Sequence, residues 1–141
     1  MNRLPAAKRA AARILIVDDS PPIREVFSAA LDIAGYECHA VTSGEEAVAL
    51  LKVKRFDLMI CDLHNNPHGL VLLERVKAKL SRMQVIIATS PCCECTAGFA
   101  VNCMGASEYL LKPLDLKHLL FTVWRVLEGR KSSAGLELAT A

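Results

Sequence analysis

The chain has 141 residues, of which 52% are hydrophobic and 23% charged, and its formal net charge is +2. A chain of this length supports one well-buried core and is too short for a second domain of ordinary size. The positive excess lies mainly within residues 1–13, so a nucleic-acid-binding face on the domain, and a direct nucleic-acid partner, are not expected.

Targeting signals and cysteine usage narrow the class of protein further. The basic, Ala-rich extension at residues 1–12 lacks the apolar core of a signal peptide. No apolar run approaches the roughly 20 residues of a membrane span. We therefore expect a cytoplasmic protein without membrane insertion, in which a reducing cytosol keeps the six cysteines as thiols.

Two hydrophobic periods alternate along the chain. Short apolar runs bounded by turn formers predict five strands, at residues 13–18, 36–41, 57–62, 84–89 and 108–111. Apolar residues at helical spacing after each strand predict five helices, with buried stripes over residues 23–34, 47–51, 73–80, 97–104 and 116–127. Val26 and Leu80 belong to the first and third of these stripes.

Local signals mark the ends of several helices. The two prolines at residues 21–22 favour a helix start, and Ser43 has the capping-box spacing to Glu46. Gly35 and Gly105 are placed as C-terminal stops.

Alternating strands and helices predict parallel pairing through right-handed crossovers. The predicted fold is therefore α/β, a doubly wound five-stranded parallel sheet with five helices. Residues 13–129 form this single domain, and the small, polar residues 130–141 form a flexible tail. The continuously apolar run at 57–62 is typical of a strand buried on both faces.

In such a sheet the carboxyl ends of the strands share one edge, where ligands bind. The residues at or just past these ends are Asp18, Asp19, Asp62, Thr89 and Lys112. Three carboxylates with backbone oxygens suit Mg²⁺, which keeps several waters and accepts a phosphoryl oxygen. A carboxylate can attack phosphorus to give an acyl phosphate, and a lysine and a hydroxyl stabilise the other phosphoryl oxygens.

Four segments give this pattern a specific resemblance. They are ILIVDDS at residues 14–20, MICDL at 59–63, IIATS at 86–90 and YLLKP at 109–113. In this order, and over roughly residues 13–129, the chain resembles a response-regulator receiver domain of two-component signalling, of the single-domain, chemotaxis-regulator-like kind. The resemblance implies the flavodoxin-like (βα)5 fold with strand order 2-1-3-4-5.

The resemblance also implies a role for each residue at the edge. Asp62 is the phosphoacceptor, Thr89 contacts the phosphoryl group, and Lys112 pairs with it. The implied ligands of Mg²⁺, for which Mn²⁺ could substitute, are Asp18 through a bound water, Asp19, Asp62 and the backbone carbonyl of His64.

Four further residues have implied roles in switching and lifetime. The rotamer of Tyr109 follows Thr89 and transmits phosphorylation to the face of helix four, strand five and helix five. The peptide bond before Pro113 is expected to be cis. His64 and Pro91 border the path of the water that hydrolyses the acyl phosphate, and they are expected to tune its lifetime.

The implied partners are a histidine kinase or a histidine phosphotransfer protein, and a downstream protein of unknown identity; a homodimer is compatible with the family. Since no output domain follows Gly129, the chain is expected to act by binding another protein or as a phosphate sink. We do not expect an enzyme, because the only reactions catalysed would be its own phosphorylation and dephosphorylation.

Three other functional classes share parts of this pattern. A haloacid-dehalogenase-like phosphatase needs a second Asp two residues after the nucleophile, where this chain has His64. A flavodoxin-like FMN carrier needs a hydroxyl- and Gly-rich phosphate loop where Asp18 and Asp19 stand. The alternative that stays open is a receiver-fold interaction module that is weakly or never phosphorylated. It rests on the loop after Asp62, in which Gly69 comes one place earlier than the family pattern.

Cysteines are concentrated after the fourth strand. Cys92, Cys93, Cys95 and Cys103 are placed to lie across a groove from His64 and His68 in the neighbouring loop. These residue types allow a zinc site or a thiol oxidation switch. The spacing is not that of a structural zinc site, so the favoured interpretation is that these cysteines serve as small apolar packing residues.

Overall fold

The computed structural model describes residues 11–64 and 69–140, with side chains described as far as residue 129. The predicted N-terminal extension therefore lies outside the described residues, apart from Ala11 and Ala12. His68, one of the candidate ligands, also lies outside them.

Five strands and five helices alternate along the described chain, as the sequence predicts. The elements are β1 Arg13–Val17, α1 Pro21–Ile33, β2 Glu37–Val41, α2 Gly44–Leu51, β3 Leu58–Asp62, α3 Gly69–Lys79, β4 Gln84–Thr89, α4 Glu94–Cys103, β5 Glu108–Leu111 and α5 Leu116–Thr140. A 3-10 turn over Pro91–Cys93 precedes α4. All strand pairs are parallel and the sheet order is β2-β1-β3-β4-β5, which confirms the predicted fold class and topology.

The local signals in the sequence act as predicted at several helix ends. Ser43 Oγ accepts a hydrogen bond from the backbone N–H of Glu46 at 3.2 Å. The Glu46 carboxylate in turn accepts from the backbone N–H of Thr42 at 2.7 Å, one residue before the position that a capping box uses, so Ser43 caps α2 and Glu46 fixes the segment that enters it. Gly35 and Gly105 have positive φ angles of 101° and 90°, a conformation that favours glycine after a helix.

The core has two layers, one on each face of the sheet. One cluster joins strand residues such as Leu15, Met59 and Ile87 to α2, α3 and α4. The other joins the alternate strand residues, such as Ile16 and Ile60, to α1 and α5. Every residue of β3 is buried, which confirms the prediction of a central strand covered on both sides.

Four apolar residues predicted to face the core are exposed instead: Ala34 and Leu116, which lie at helix ends, and Val26 and Leu80. Val26 lies on α1, whose buried residues are Phe27 and Leu31 alone. Leu80 lies just past the end of α3 and is also exposed. In both cases the helix contacts the sheet through a stripe narrower than its apolar pattern, so the pattern overestimates the buried face.

The last helix is longer than predicted. The sequence places the end of the domain at Gly129, and α5 continues in helical conformation to Thr140. Ala, Leu and Glu in residues 134–140 favour helix, which accounts for the continuation. The flexibility predicted for residues 130–141 stays a prediction. Over the described residues, no helix has both the length and the apolar character to cross a membrane.

Candidate functional site

The sheet register brings the predicted site residues to one edge. Asp18 follows β1 directly, and Asp62 and Thr89 are the last residues of β3 and β4. Asp62 is paired with Ala88, and Thr89 with Leu111, so the ends of β3, β4 and β5 lie level. Lys112 comes next in the chain, and its backbone N–H donates to the carbonyl of Thr89 at 2.7 Å.

Three carboxylates converge at this edge. One oxygen from each of Asp18, Asp19 and Asp62 lies within 4.8 Å of the other two. Asp18 is 2% exposed and Asp62 is 8% exposed, whereas Asp19 is open to solvent. Like charges this close repel one another, so the cluster attracts a cation.

Lys112 provides part of the compensating charge. Its Nζ lies 2.9 Å from Oδ2 of Asp18 and 3.6 Å from Oδ1 of Asp62. The peptide bond between Lys112 and Pro113 is cis, as the sequence predicts. One ammonium group against three carboxylates leaves the cluster negative overall, which favours a further, divalent cation.

Asp18 is held in place from several directions. Its Oδ1 accepts the backbone N–H of Ser20 at 2.9 Å, and its carbonyl accepts a hydrogen bond from the Arg24 guanidinium at 2.8 Å. Sequence reasoning missed Arg24, although its position one turn into α1 is a signal for contact with the preceding loop. With Lys112 on Oδ2, the carboxylate has little freedom to turn away.

The donor set fits Mg²⁺. Magnesium prefers oxygen ligands at roughly 2.0–2.1 Å and keeps several waters. Carboxylate oxygens within 4.8 Å of one another match that preference. The exposed side at Asp19 leaves a path for a hydrated ion. His64 donates its backbone N–H to Oδ1 of Asp62 at 3.3 Å, which places it beside the cluster; the ligation predicted for its carbonyl stays a prediction.

Two of the predicted residues lie at the edge without bonding to the carboxylates directly. Thr89 is fully buried, and its hydroxyl donates to the Ser90 carbonyl at 3.3 Å. Tyr109, on β5, donates its hydroxyl to Oε2 of Glu94 at 2.8 Å. That hydrogen bond to a carboxylate raises the pKa of the Tyr109 phenol above its usual range. Tyr109 therefore connects β5 to the first residue of α4.

Comparison with known proteins decides the family. The sequence model of the response regulator receiver domain matches residues 14–123. The chain belongs to the response regulator receiver domain family. Its fold, its sheet order and its cluster of carboxylates are therefore those of a receiver domain of two-component systems.

Curated relatives and solved structures agree with this assignment. The receiver domain is 35% identical over 126 residues to the alginate biosynthesis transcriptional regulatory protein AlgB of Pseudomonas putida, covering 89% of this chain and 28% of that protein. It is 33% identical over 117 residues to the regulatory protein AtoC of Escherichia coli, covering 82% and 25%. The chain thus spans only a quarter to a third of these relatives.

Two solved structures are similar over most of the receiver domain. The chemotaxis response regulator CheY4 of Vibrio cholerae has a TM-score of 0.74 and 33% identity, covering 83% of this chain and 99% of that chain. NtrX of Brucella abortus has a TM-score of 0.85 and 26% identity, covering 91% of this chain and 29% of that chain.

The cysteines of the receiver domain correct one interpretation from the sequence. Cys92, Cys95 and Cys103 are exposed and Cys93 is half-buried, so packing accounts at most for Cys93, which contacts the core. The prediction was wrong for the other three. Cys95 and Cys103 lie on α4, which presents Ala97 and Ala100 to the sheet, and Cys92 lies in the preceding 3-10 turn, in which no residue is buried. The predicted approach to the neighbouring loop is confirmed for one cysteine, since Cys93 Sγ lies 3.1 Å from Nε2 of His64.

Proposed function

We propose that this chain is a phosphoacceptor receiver of a two-component phosphorelay, in which Asp62 accepts a phosphoryl group in a Mg²⁺-dependent reaction. The observation that carries the proposal is the convergence of Asp18, Asp19 and Asp62 within 4.8 Å, with the Lys112 ammonium 2.9 and 3.6 Å from two of them. The donor is a histidine kinase or a histidine phosphotransfer protein, in keeping with membership of the family.

The chemistry is a transfer from imidazole nitrogen to carboxylate oxygen. An oxygen of Asp62 forms a bond to phosphorus as the bond from phosphorus to the donor imidazole breaks, and the imidazole leaves with a proton. When bound, Mg²⁺ or Mn²⁺ supplies charge neutralisation for the phosphoryl oxygens. Asp19, Asp62, Asp18 through a water, and the His64 carbonyl would hold it.

Lys112 and Thr89 complete the surroundings of the phosphoryl group. Lys112 lies 3.6 Å from Oδ1 of Asp62, close enough for its charge to stabilise a phosphoryl oxygen on that carboxylate. The Thr89 hydroxyl bonds weakly at 3.3 Å to the carbonyl of Ser90. Rotation about its side chain would exchange that bond for one to the phosphoryl group.

Output is transmitted through Tyr109. A change of Thr89 rotamer alters the space beside Tyr109, whose hydroxyl holds Glu94 at the start of α4. The face of α4, β5 and α5 carries exposed apolar residues that a downstream protein or a second copy could cover, namely Phe99, Leu111, Leu116, Phe121 and Trp124. In this proposal the chain works in the cytoplasm and is not an enzyme toward any other substrate.

The test is phosphorylation by a small acyl-phosphate donor. Wild-type protein incubated with acetyl phosphate and MgCl₂ is expected to gain the mass of one phosphoryl group, and chelation of Mg²⁺ should abolish the gain. Asp62→Asn should show no gain. Asp57→Asn is the matched control, since Asp57 precedes the same strand at its other end and accepts the backbone N–H of Arg13.

Either of two outcomes would overturn the proposal. A phosphoryl mass gain in Asp62→Asn equal to that of wild type would place the acceptor elsewhere. No gain in folded wild-type protein, with acetyl phosphate or with a phosphorylated histidine phosphotransfer protein, would favour an interaction module that is never phosphorylated.

A further inference from the structure

Four side chains at the edge form a continuous line of contacts that the phosphorylation chemistry does not use. Ser90 Oγ lies 3.1 Å from Cys92 Sγ, and Cys92 Sγ lies 3.6 Å from Cys93 Sγ. Cys93 Sγ lies 3.1 Å from Nε2 of His64. We call these four residues the thiol cluster. It connects the loop after β4 to the residue two places past Asp62.

Cys92 differs from Cys38, Cys61 and Cys93, whose pKa values are all raised. Cys61 is fully buried beside Asp62, and burial raises its pKa to about 12. Burial likewise raises the pKa of Cys38 to about 12. Cys92 is exposed, and the hydrogen bond from Ser90 lowers its pKa. Thiolate character and access are what make a cysteine reactive toward oxidants.

We propose that Cys92 and Cys93 are a redox-modification site, which hydrogen peroxide or an organic hydroperoxide converts into a disulfide between the two neighbouring residues. The observation that carries this is the 3.6 Å separation of their sulfur atoms at a surface open to solvent. A disulfide requires a sulfur separation of roughly 2.05 Å. The two sulfur atoms therefore have only a short distance to move, and the Cys92 side chain is exposed and can rotate.

The reaction balances in two steps. The Cys92 thiolate attacks one peroxide oxygen, so a sulfur–oxygen bond forms and the oxygen–oxygen bond breaks. The departing oxygen takes up a proton from solvent, equal to the one that Cys92 lost on ionising, and leaves as water or alcohol. The Cys93 sulfur then attacks the sulfenic sulfur of Cys92. A sulfur–sulfur bond forms, and the hydroxide that leaves takes up the Cys93 proton. The two thiols lose two electrons, and the peroxide gains them.

The product would be easily reduced. Neighbouring Cα atoms are about 3.8 Å apart, whereas disulfides usually join Cα atoms roughly 4.4–6.8 Å apart. A bond formed outside that range is strained, and strained, exposed disulfides are the labile and regulatory ones. Thioredoxin-class or glutathione-class thiols would restore the dithiol by exchange.

Oxidation of Cys93 affects His64, a residue that contacts the phosphoacceptor. A disulfide sulfur carries no proton, so Cys93 can no longer donate to the imidazole of His64 and becomes a weaker acceptor from it. The backbone N–H of the same His64 donates to Asp62 at 3.3 Å. Oxidation therefore loosens the residue beside the metal and phosphoryl position. This regulatory consequence rests on the proposed function, whereas the modification site does not.

The thiol cluster is not a ready-made metal site. Within the part of the chain that the structure describes, the group of three potential ligands with mutual distances within 4.8 Å is the carboxylate cluster, and Cys92, Cys93 and His64 do not form a second one. They make a line, in which Cys93 is the middle member. A line of contacts suits transfer between neighbours better than closure around one ion.

The experiment measures thiols by mass after peroxide treatment. Reduced full-length protein is treated with one equivalent of hydrogen peroxide, alkylated with N-ethylmaleimide after unfolding, and analysed intact and as peptides. Wild type is expected to lose two alkylation sites, both in the peptide with Cys92 and Cys93, and dithiothreitol should restore them. Cys95→Ser is the matched control, because Cys95 is exposed on α4 outside the cluster, and it should behave as wild type.

Single variants complete the design. Cys92→Ser and Cys93→Ser should not lose two alkylation sites together. Unchanged alkylation of wild type, pairing of Cys92 with any other cysteine, or one equivalent of bound zinc that is lost in Cys92→Ser would each overturn the proposal.

Phosphorylation is measured on the same samples. The initial rate with acetyl phosphate should differ several-fold between oxidised and reduced wild type, and peroxide should have no such effect on Cys93→Ser. Equal rates for the two wild-type forms would overturn the regulatory consequence alone. If reduced wild type is not phosphorylated at all, the proposed function fails, and the mass measurement still decides the modification site.

Discussion

The two sides of the sheet edge around Asp62 differ in what holds their side chains. On the charged side, Asp18 and Lys112 follow β1 and β5 directly. Their backbone N–H groups continue the ladder to Val41 at 3.2 Å and Thr89 at 2.7 Å. In the thiol cluster, Cys92 and Cys93 belong to a short 3-10 turn, and their sulfur atoms contact the side chains of Ser90 and His64 and each other.

This difference separates positions fixed by the fold from positions fixed by side-chain contacts. The sheet determines where residues at strand ends lie, so carboxylates at neighbouring strand ends lie close together in any protein with this fold. Residues in the loops depend on side-chain contacts that vary with each substitution. In the proposed function the phosphoryl chemistry lies on the charged side, and the proposed redox control lies in the thiol cluster.

The largest effect is expected from Asp19, the exposed member of the charged side. Asp19→Asn removes one charged ligand, so Mg²⁺ should bind more weakly and stabilise the fold less. At a Mg²⁺ concentration a hundred times Kd, binding stabilises the native state by about 2.7 kcal/mol, and most of this gain should be lost at the same concentration. The measurement is urea unfolding with and without MgCl₂.

The control for this prediction is Asp32→Asn. Asp32 is exposed near the end of α1 and is no part of the carboxylate cluster, so its Mg²⁺ response should equal that of wild type. An equal response in Asp19→Asn would show that the ion is held without this residue.

A slightly smaller effect is expected from Lys112. Lys112→Met leaves the Asp18 carboxylate, whose side chain is 3% exposed, without its ion-pair partner. Removing one partner of a buried pair costs about 3–5 kcal/mol; because the Lys112 side chain is 23% exposed, a loss of about 2 kcal/mol is expected here. Mg²⁺ should restore part of it, since a cation replaces a cation.

Urea unfolding without Mg²⁺ checks this prediction. Lys117→Met, which removes an exposed lysine from the first turn of α5, is the control and should leave stability nearly unchanged. Equal stability of Lys112→Met and wild type would mean that the ammonium group is not needed to balance the buried carboxylates.

The charged side could be predicted from the sequence, whereas much of the thiol cluster could not. Hydrophobic periods determine the strands, and parallel strands bring Asp18, Asp62 and Lys112 together whatever their side-chain rotamers. The closer pairing of Lys112 with Asp18 than with Asp62, at 2.9 against 3.6 Å, depends on rotamers that no spacing reports. The exposure of Cys92 depends on the conformation of the 3-10 turn before α4, in which no residue is buried.

Gly69 tests the loop after Asp62, which includes His64 of the thiol cluster. Gly69→Ala is expected to lower the free energy of unfolding by about 1.5 kcal/mol. A Cβ at this position would lie 2.8 Å from Leu63 Cα and 2.9 Å from the carbonyl oxygens of Asp62 and Leu63. These are backbone atoms of the phosphoacceptor segment, so Gly69→Ala must shift them, and overpacking of this kind costs about 1–3 kcal/mol. The midpoint temperature of thermal unfolding and the rate of phosphorylation should both fall.

Gly98→Ala is the matched control, and it is expected to raise stability instead of lowering it. Gly98 lies inside α4, and a Cβ there meets nothing within 4 Å. Alanine should therefore stabilise the helix by roughly 0.5–1 kcal/mol. If Gly69→Ala were as stable as Gly98→Ala, the loop after Asp62 would have room that the structure does not show.

The smallest effect is expected from His64, where the two sides meet. Its imidazole lies against Cys93 at 3.1 Å while its backbone N–H donates to Asp62 at 3.3 Å, so we expect the ring to cover one approach of water to the proposed acyl phosphate. His64→Ala should shorten the phosphoryl half-life several-fold, which corresponds to about 1 kcal/mol in the barrier. Pro91, which the resemblance places on the other border of that path, has no side-chain group that could orient the water in its place.

Loss of the phosphoryl mass with time, at fixed pH and Mg²⁺, measures the half-life. His118→Ala removes an exposed histidine from α5 and should leave it unchanged. In reduced protein Cys93→Ser should phosphorylate normally, because a hydroxyl keeps a hydrogen bond to the imidazole. Equal half-lives for His64→Ala and wild type would mean that the ring does not guard Asp62. The thiol cluster could then affect phosphorylation only through the backbone of the loop.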